Sequence, residues 1–363
     1  MAENDYMANI RFNDGKRFGD WFTWCKTRKT KQRGALKAES NEIEGGSAIK
    51  LEIMILRDLN KHGSKPHVPE YHHAAKRGKY SYMIMTLLGD NLKHLKNNNA
   101  TVKERFTRGT WSRLGIQCLY SVKYVHDCGY IHRDIKPNNF VMGASDDPSR
   151  CRMVHILDFG LARAYAFLRD DKWIARRARG TSEFRGTQKY CSANVHLRKE
   201  QGRHDDLWSL LYVLTEFNGG LPWQNEREKT KVEAMKLAMS DTTVFLNMPA
   251  SLQPVYPHLR SLDCYQKPDY SLLYNGLVTM MKQEKVQPLS KYDWETDEQE
   301  HAARKYAKEH GPSAWENSEA YFKSDPVGIN GPPTSNAPNF SQIQAPKTLK
   351  VDSVINRASD HKK

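Results

Sequence analysis

Asp134 and Lys136 stand two residues apart in IHRDIKPNNF (131–140), a stretch that Pro137 constrains. A carboxylate in that position can orient a hydroxyl or accept its proton. An ammonium beside it can neutralise a transferring phosphoryl group. Asn139 in the same stretch and Asp158 in HILDFGLAR (155–163) are oxygen donors of the kind that Mg²⁺ takes. Lys37 in GALKAE and Glu52 are spaced to come from a strand and a helix and to form an ion pair. Taken singly, an Asp–Lys pair is a surface salt bridge and Asp-Phe-Gly a turn. Their joint occurrence, in this order, points to phosphoryl transfer.

The elements that must position these groups are legible in outline. FGDWFTW and GALKAE read as short strands around the basic turn KTRKTKQRG. SAIKLEIMILRDL (47–59) reads as a helix, with Ile49, Ile53, Leu56 and Leu59 near one face. YSYMIMTLLG (80–89) reads as a buried strand, and WSRLGIQCLYSVKYVHDCG as a long helix stopping at Gly129. Strands first and helices later predict an α+β fold. TDEQEHAARKYAKEH (296–310) reads as a solvated helix stopped by Gly311 and Pro312. Residues 311–363 offer little apolar surface, and the Pro-, Asn- and Ser-rich run from 324 predicts an unstructured tail.

Composition narrows the classes. The chain has 363 residues, 39% of them hydrophobic, enough for a sizeable core. Six cysteines form no Cys-x-x-Cys pair, which argues against a zinc site or redox motif. There is no apolar signal core at the N-terminus and no apolar run of membrane-spanning length, so a reducing, intracellular compartment is expected. The formal charge of +14 predicts attraction to acidic partners. No aromatic-basic module supports specific nucleic-acid binding.

The set Lys37, Glu52, Asp134, Lys136, Asn139 and Asp158 resembles that of a eukaryotic protein kinase. The resemblance implies a bilobal protein-kinase-like fold over 10–295. A small, mainly β N-lobe with one helix would span about 10–89 and a larger, mainly α C-lobe 90–295. A charged helical extension (296–323) and the tail (324–363) would follow. It implies ATP and Mg²⁺ as cofactors. Lys37 would hold the ATP phosphates with Glu52 as its partner, Asp134 would be the base and Lys136 the phosphate-neutralising group. Asn139 and Asp158 would be the metal ligands. Met85 would be the gatekeeper and TLLG (86–89) the hinge, with Ala35, Leu88 and Val141 around the adenine. Asp206 would brace the catalytic loop. Lys136, where tyrosine kinases carry an Arg nearby, implies a serine/threonine kinase. CSANVH in place of Ala-Pro-Glu, followed by GRHDDLWSL, resembles the casein kinase I superfamily. ALKAES, YMIMTLLG, FRGT, LPWQ, KPDYSLL and YDWE resemble its tau-tubulin kinase-like branch.

Two departures shape the expectations. The phosphate loop DGKRFGDW keeps Gly15 and Gly19. Two of the three usual glycine positions are Asp14 and Lys16, and Trp21 replaces a small branched residue over the adenine. A working but weakened nucleotide loop is expected, and a pseudokinase scaffold binding acidic partners is the alternative. Between 161 and 190 eight basic residues face three acidic ones. Arg176, Arg177, Arg179, Arg185 and Lys189 are therefore expected to bind acidic or phosphorylated protein substrates. A second anion position of the superfamily falls at Ala234 and is lost. A monomer in the cytoplasm, and in the nucleus as well, is expected.

Overall fold

Tyr80–Thr86 shows how the first lobe is built, because its alternate residues serve different cores: Met83 and Met85 pack into the main one, while Ile84 packs with Cys25, Leu36 and Ala38. The computed structural model describes residues 6–7, 21–27, 33–42, 48–98 and 105–333. A five-stranded antiparallel sheet joins β1 (Tyr6–Met7), β2 (Trp21–Thr27), β3 (Arg33–Ser40), β4 (Tyr71–Lys76) and β5 (Tyr80–Thr86) in the order β1-β2-β3-β5-β4. One helix, α1 (Ala48–Leu59), buries Ile49, Glu52, Ile53, Leu56 and Leu59 along one face. Glu39 Oε2 accepts from the Ile49 amide (2.9 Å) and so satisfies an N–H at the helix start from outside the helix.

After Leu87 the chain passes into β6 (Leu88–Asn91) and α2 (Leu92–Asn98). The long α3 (Arg108–Asp127), capped by Thr107 and ended before Gly129 at φ +83°, is the axis of the second lobe. β7 (Tyr130–Ile131), β8 (Phe140–Gly143), β9 (Val154–Ile156) and β10 (Arg163–Ala164) form two small sheets, β6-β8-β9 and β10-β7. β11 (Ala166–Arg169) and β12 (Lys172–Ala175) make a hairpin whose turn residues, Asp170 and Asp171, both have positive φ. Then come α4 (Ala193–His196), α5 (Arg203–Phe217), α6 (Lys229–Ala238), α7 (Asp241–Val244), α8 (Val255–Ser261) and α9 (Tyr270–Gln283). Every residue of α5 is buried, and it packs with α9 against α3. The molecule is thus a small β lobe with one helix followed by a mainly helical lobe. No described helix is long and apolar enough to cross a membrane.

The C-terminal part departs from expectation. α10 (Asp297–His310), capped by Thr296 and stopped at Gly311, has no buried residue and is the solvated helix expected. Beyond it, however, Trp315 and Phe322 enter the main core, and Phe322, on α11 (Glu319–Lys323), stacks on Tyr274 at 4.7 Å. Val327 then packs with Ile131, Tyr165 and Ala166, and Arg203 donates to the Ile329 carbonyl. Residues 324–333 are therefore a packed strap, not the start of an unstructured tail. A few well-spaced apolar side chains suffice to dock a segment whose average composition is polar. Ending the chain at residue 310 is expected to lower the melting temperature, and Phe322→Ala alone to cost about 3–5 kcal/mol in denaturant titration. Unchanged unfolding in both would show that the segment after α10 contributes nothing.

Candidate active site

The site is assembled around Asp206, on the first turn of α5. Its Oδ2 accepts from the His132 amide (2.6 Å) and its Oδ1 from the Arg133 amide (2.8 Å), while His126 Nε2 on α3 lies 2.9 Å from Oδ2. Burial pushes this carboxyl up, but the His126 ring and the His132 amide more than offset that and hold it below the usual carboxylate range. The brace fixes Arg133 in the left-handed region (φ +66°), which turns the chain so that Asp134 follows in the loop after β7. His132 bonds the Leu157 carbonyl through Nε2 (2.9 Å) and packs edge-on against Phe159.

Asp134 carries two contacts. Lys136 Nζ donates to its Oδ2 (2.5 Å), and Thr187 Oγ1 donates to its Oδ1 (2.6 Å). Asn139 donates from Nδ2 to the Asp134 carbonyl (2.9 Å), and its own carbonyl accepts from the Leu157 amide (2.9 Å). The loop bearing Asp134 is thereby tied to the segment bearing Asp158. Residue types and spacing do not single out Thr187, although it ends the FRGT motif. Its signal is Gly186 before it, at φ +118°, where a side-chain carbon would lie 2.6 Å from the Arg133 carbonyl. Only glycine allows that approach, and it sets Thr187 against Asp134.

Lys37 on β3 and Glu52 on α1 meet at 2.6 Å, both buried. Lys37 Nζ also lies 3.3 Å from Asp158 Oδ1. Asp158 takes a positive φ of 67° and swings Phe159 into the core. Burial raises the Asp158 carboxyl, but Lys37, then His132 and Lys136, pull it further the other way, to a net depression. A carboxylate ionised at neutral pH thus faces a buried ammonium. Ala35 and Met85 sit opposite each other across β3 and β5, while Leu88 and Val141 lie on the paired strands β6 and β8. Trp21 takes its place in β2 opposite Ala38. Gly15, Gly19 and the Trp21 ring lie outside the described residues.

The basic segment is less free than its composition suggests. Arg179 pairs with Glu200 (2.7 Å), as does Arg163 (3.3 Å), and Arg185 pairs with Glu183 (2.6 Å). Lys189 is held by Glu216 (2.8 Å), which also pairs with Lys93 and accepts from Tyr190. The neutralising acids Glu200 and Glu216 lie outside 161–190, and the fold brings them in from the loop before α5 and from α5 itself. Arg177 is exposed, and Arg176 lies half-buried near Phe167. Among the described residues no group of three or more His, Cys, Asp or Glu is placed to hold a metal.

Residues 18–292 match the protein kinase domain family. A Caenorhabditis elegans protein named as an inactive tau-tubulin kinase is 47% identical over 289 residues, 78% of this chain and 97% of that one. A second C. elegans protein, named provisionally as a serine/threonine-protein kinase, is 36% identical over 318 residues, 84% of this chain and 90% of that one. A Dictyostelium discoideum protein, also named provisionally as a serine/threonine-protein kinase, is 34% identical over 279 residues, 77% of this chain and 54% of that one. With the Lys37–Glu52 pair, the Asp134 loop and Asp158 joined in one site, the chain belongs to the protein kinase family, in the tau-tubulin kinase branch of the casein kinase I superfamily.

Proposed function

We propose that this protein is a serine/threonine kinase that transfers the γ-phosphoryl group of ATP to hydroxyls on acidic or phosphorylated protein segments. A protein kinase domain implies ATP binding. The observation that carries catalysis is Asp134, held on a loop braced by Asp206 with Lys136 and Thr187 on its two oxygens. In this reading an incoming hydroxyl takes up the hydrogen bond that Thr187 or Lys136 now makes, and Asp134 orients it and accepts its proton. Lys136 then lies where negative charge grows on the transferring group, and Lys37, fixed by Glu52, holds the nucleotide phosphates. Asn139 and Asp158 suit Mg²⁺ by the chemistry of their donors, an amide oxygen and an ionised carboxylate, with water and phosphate oxygens left to fill its other positions. When bound, the ion supplies positive charge against the phosphates.

For the substrate, Arg177, Arg176 and the remaining exposed part of Arg185 favour anionic residues near the acceptor hydroxyl. Lys189 and Arg179 contribute less, because Glu216 and Glu200 already neutralise them.

A second reading is a kinase-fold scaffold that binds acidic partners without turnover. It is favoured by the name of the 47% relative, which says inactive, and by the loop at 14–21 with only Gly15 and Gly19. The comparisons favour this reading and the side-chain geometry favours catalysis. Asp134→Asn separates them. Catalysis predicts at least about a 100-fold loss of Mg²⁺-dependent phosphate transfer to an acidic serine peptide, with ATP-analogue affinity kept. Equal background incorporation by both proteins would favour the scaffold. Charge reversal at Arg176 and Arg177 is expected to raise KM for acidic peptides by several-fold and to leave neutral peptides unaffected. Equal change for both classes would remove these residues from substrate binding.

A further inference from the structure

Lys236, on α6, is buried to 4% exposure and lies away from Asp134 in sequence and element. Its Nζ donates to two backbone carbonyls, Gln188 and Cys191, each at 2.6 Å. The faces of Tyr212 and Trp223 lie 5.0 and 5.1 Å away, and the Cys191 thiol 3.9 Å. Among the described residues no carboxylate is within ion-pairing distance of it. Glu233 on the same helix faces His196 instead (3.5 Å), and His196 in turn lies 3.4 Å from the Cys191 sulfur. Burial pulls the Lys236 ammonium down to about 8, a sign that the fold bears a cost to keep it there. A methionine would fill that space without a charge but would leave the two carbonyls without this donor, so what the lysine adds beyond packing is its grip on them.

Its two acceptors identify the task. Gln188 and Cys191 belong to the turn Thr187–Cys191, closed by the Tyr190 and Cys191 amides, which both donate to the Thr187 carbonyl (2.9 Å). Thr187 is the residue whose hydroxyl sits on Asp134. The same turn is held at its middle by Trp223 Nε1, which donates to the Lys189 carbonyl (2.9 Å), and on its other side by Glu216. Lys236 is the member of this clamp that grips both ends of the turn.

We infer that Lys236 is a positioning residue: it anchors the turn 187–191 from α6 and thereby sets Thr187 against Asp134 and shapes the surface that meets the acceptor hydroxyl. The catalytic consequence rests on the kinase reading above, whereas the anchoring does not. The test is Lys236→Met beside Lys236→Arg, read in two ways. Hydrogen exchange needs no turnover. The Tyr190 and Cys191 amides of Lys236→Met are expected to lose protection by about tenfold or more, with α5 core amides unchanged. In peptide phosphorylation kcat is expected to fall by about tenfold or more, with KM for ATP unchanged and the melting temperature within about 3 °C, and Lys236→Arg is expected to recover part of the loss. Equal protection at Tyr190 and Cys191 in wild type and Lys236→Met would overturn the anchoring. Lost protection with unchanged kcat would overturn the positioning role. A wild type that is folded but inactive would count against the kinase reading, and exchange would still decide the anchoring.

Discussion

A single buried carboxylate organises the site. Asp206 sits inside the helical lobe, where an ionised group is costly unless its oxygens are fully occupied. It is satisfied by two consecutive loop amides, His132 and Arg133, and by the His126 ring. Consecutive amides can point at one carboxylate only if the backbone between them turns, and the left-handed Arg133 is that turn. The loop therefore cannot relax without exposing a buried charge, and Asp134 inherits its place from that constraint.

From Asp134 two chains of contact run outward. One passes through Thr187 to the turn that Lys236, Trp223 and Glu216 hold against α5 and α6. The other passes through Asn139 and Leu157 to Asp158, then through Lys37 and Glu52 to the first lobe. That chain, together with the hydrogen bond of the Glu52 carboxylate to the Phe159 backbone, ties α1 to the segment after β9, so the closeness of the two lobes and the readiness of the site are one property. The packed strap at 324–333 adds a third link, because Val327 rests on Ile131 and Ala166, immediately outside the loop and its returning strand.

Much of this was legible in the sequence because the charged and amide side chains that carry the chemistry stand at short spacing. Asp134, Lys136 and Asn139 lie within six residues, and α1 shows its apolar face by period alone. What was not legible depends on long-range partners. Glu200 and Glu216 neutralise Arg179 and Lys189 only once α5 is packed. Thr187 is one hydroxyl among many until Gly186, seated on the Arg133 carbonyl, brings it to Asp134. The docking of the segment after α10 was hidden for a different reason: Trp315, Phe322 and Val327 are spaced too widely to give a period, so average composition outweighed them.

The kinase family, the bilobal architecture and the assembled side chains agree, while the relative named inactive pulls toward a scaffold. The two differ in chemistry and not in fold. The measurement that separates them most directly is mass spectrometry of an acidic serine peptide incubated with the wild-type protein, ATP and Mg²⁺, with calorimetry confirming that nucleotide is bound. The catalytic account predicts a phosphoserine product that disappears when EDTA removes the metal. Bound nucleotide with no phosphopeptide, from a folded protein, would contradict it.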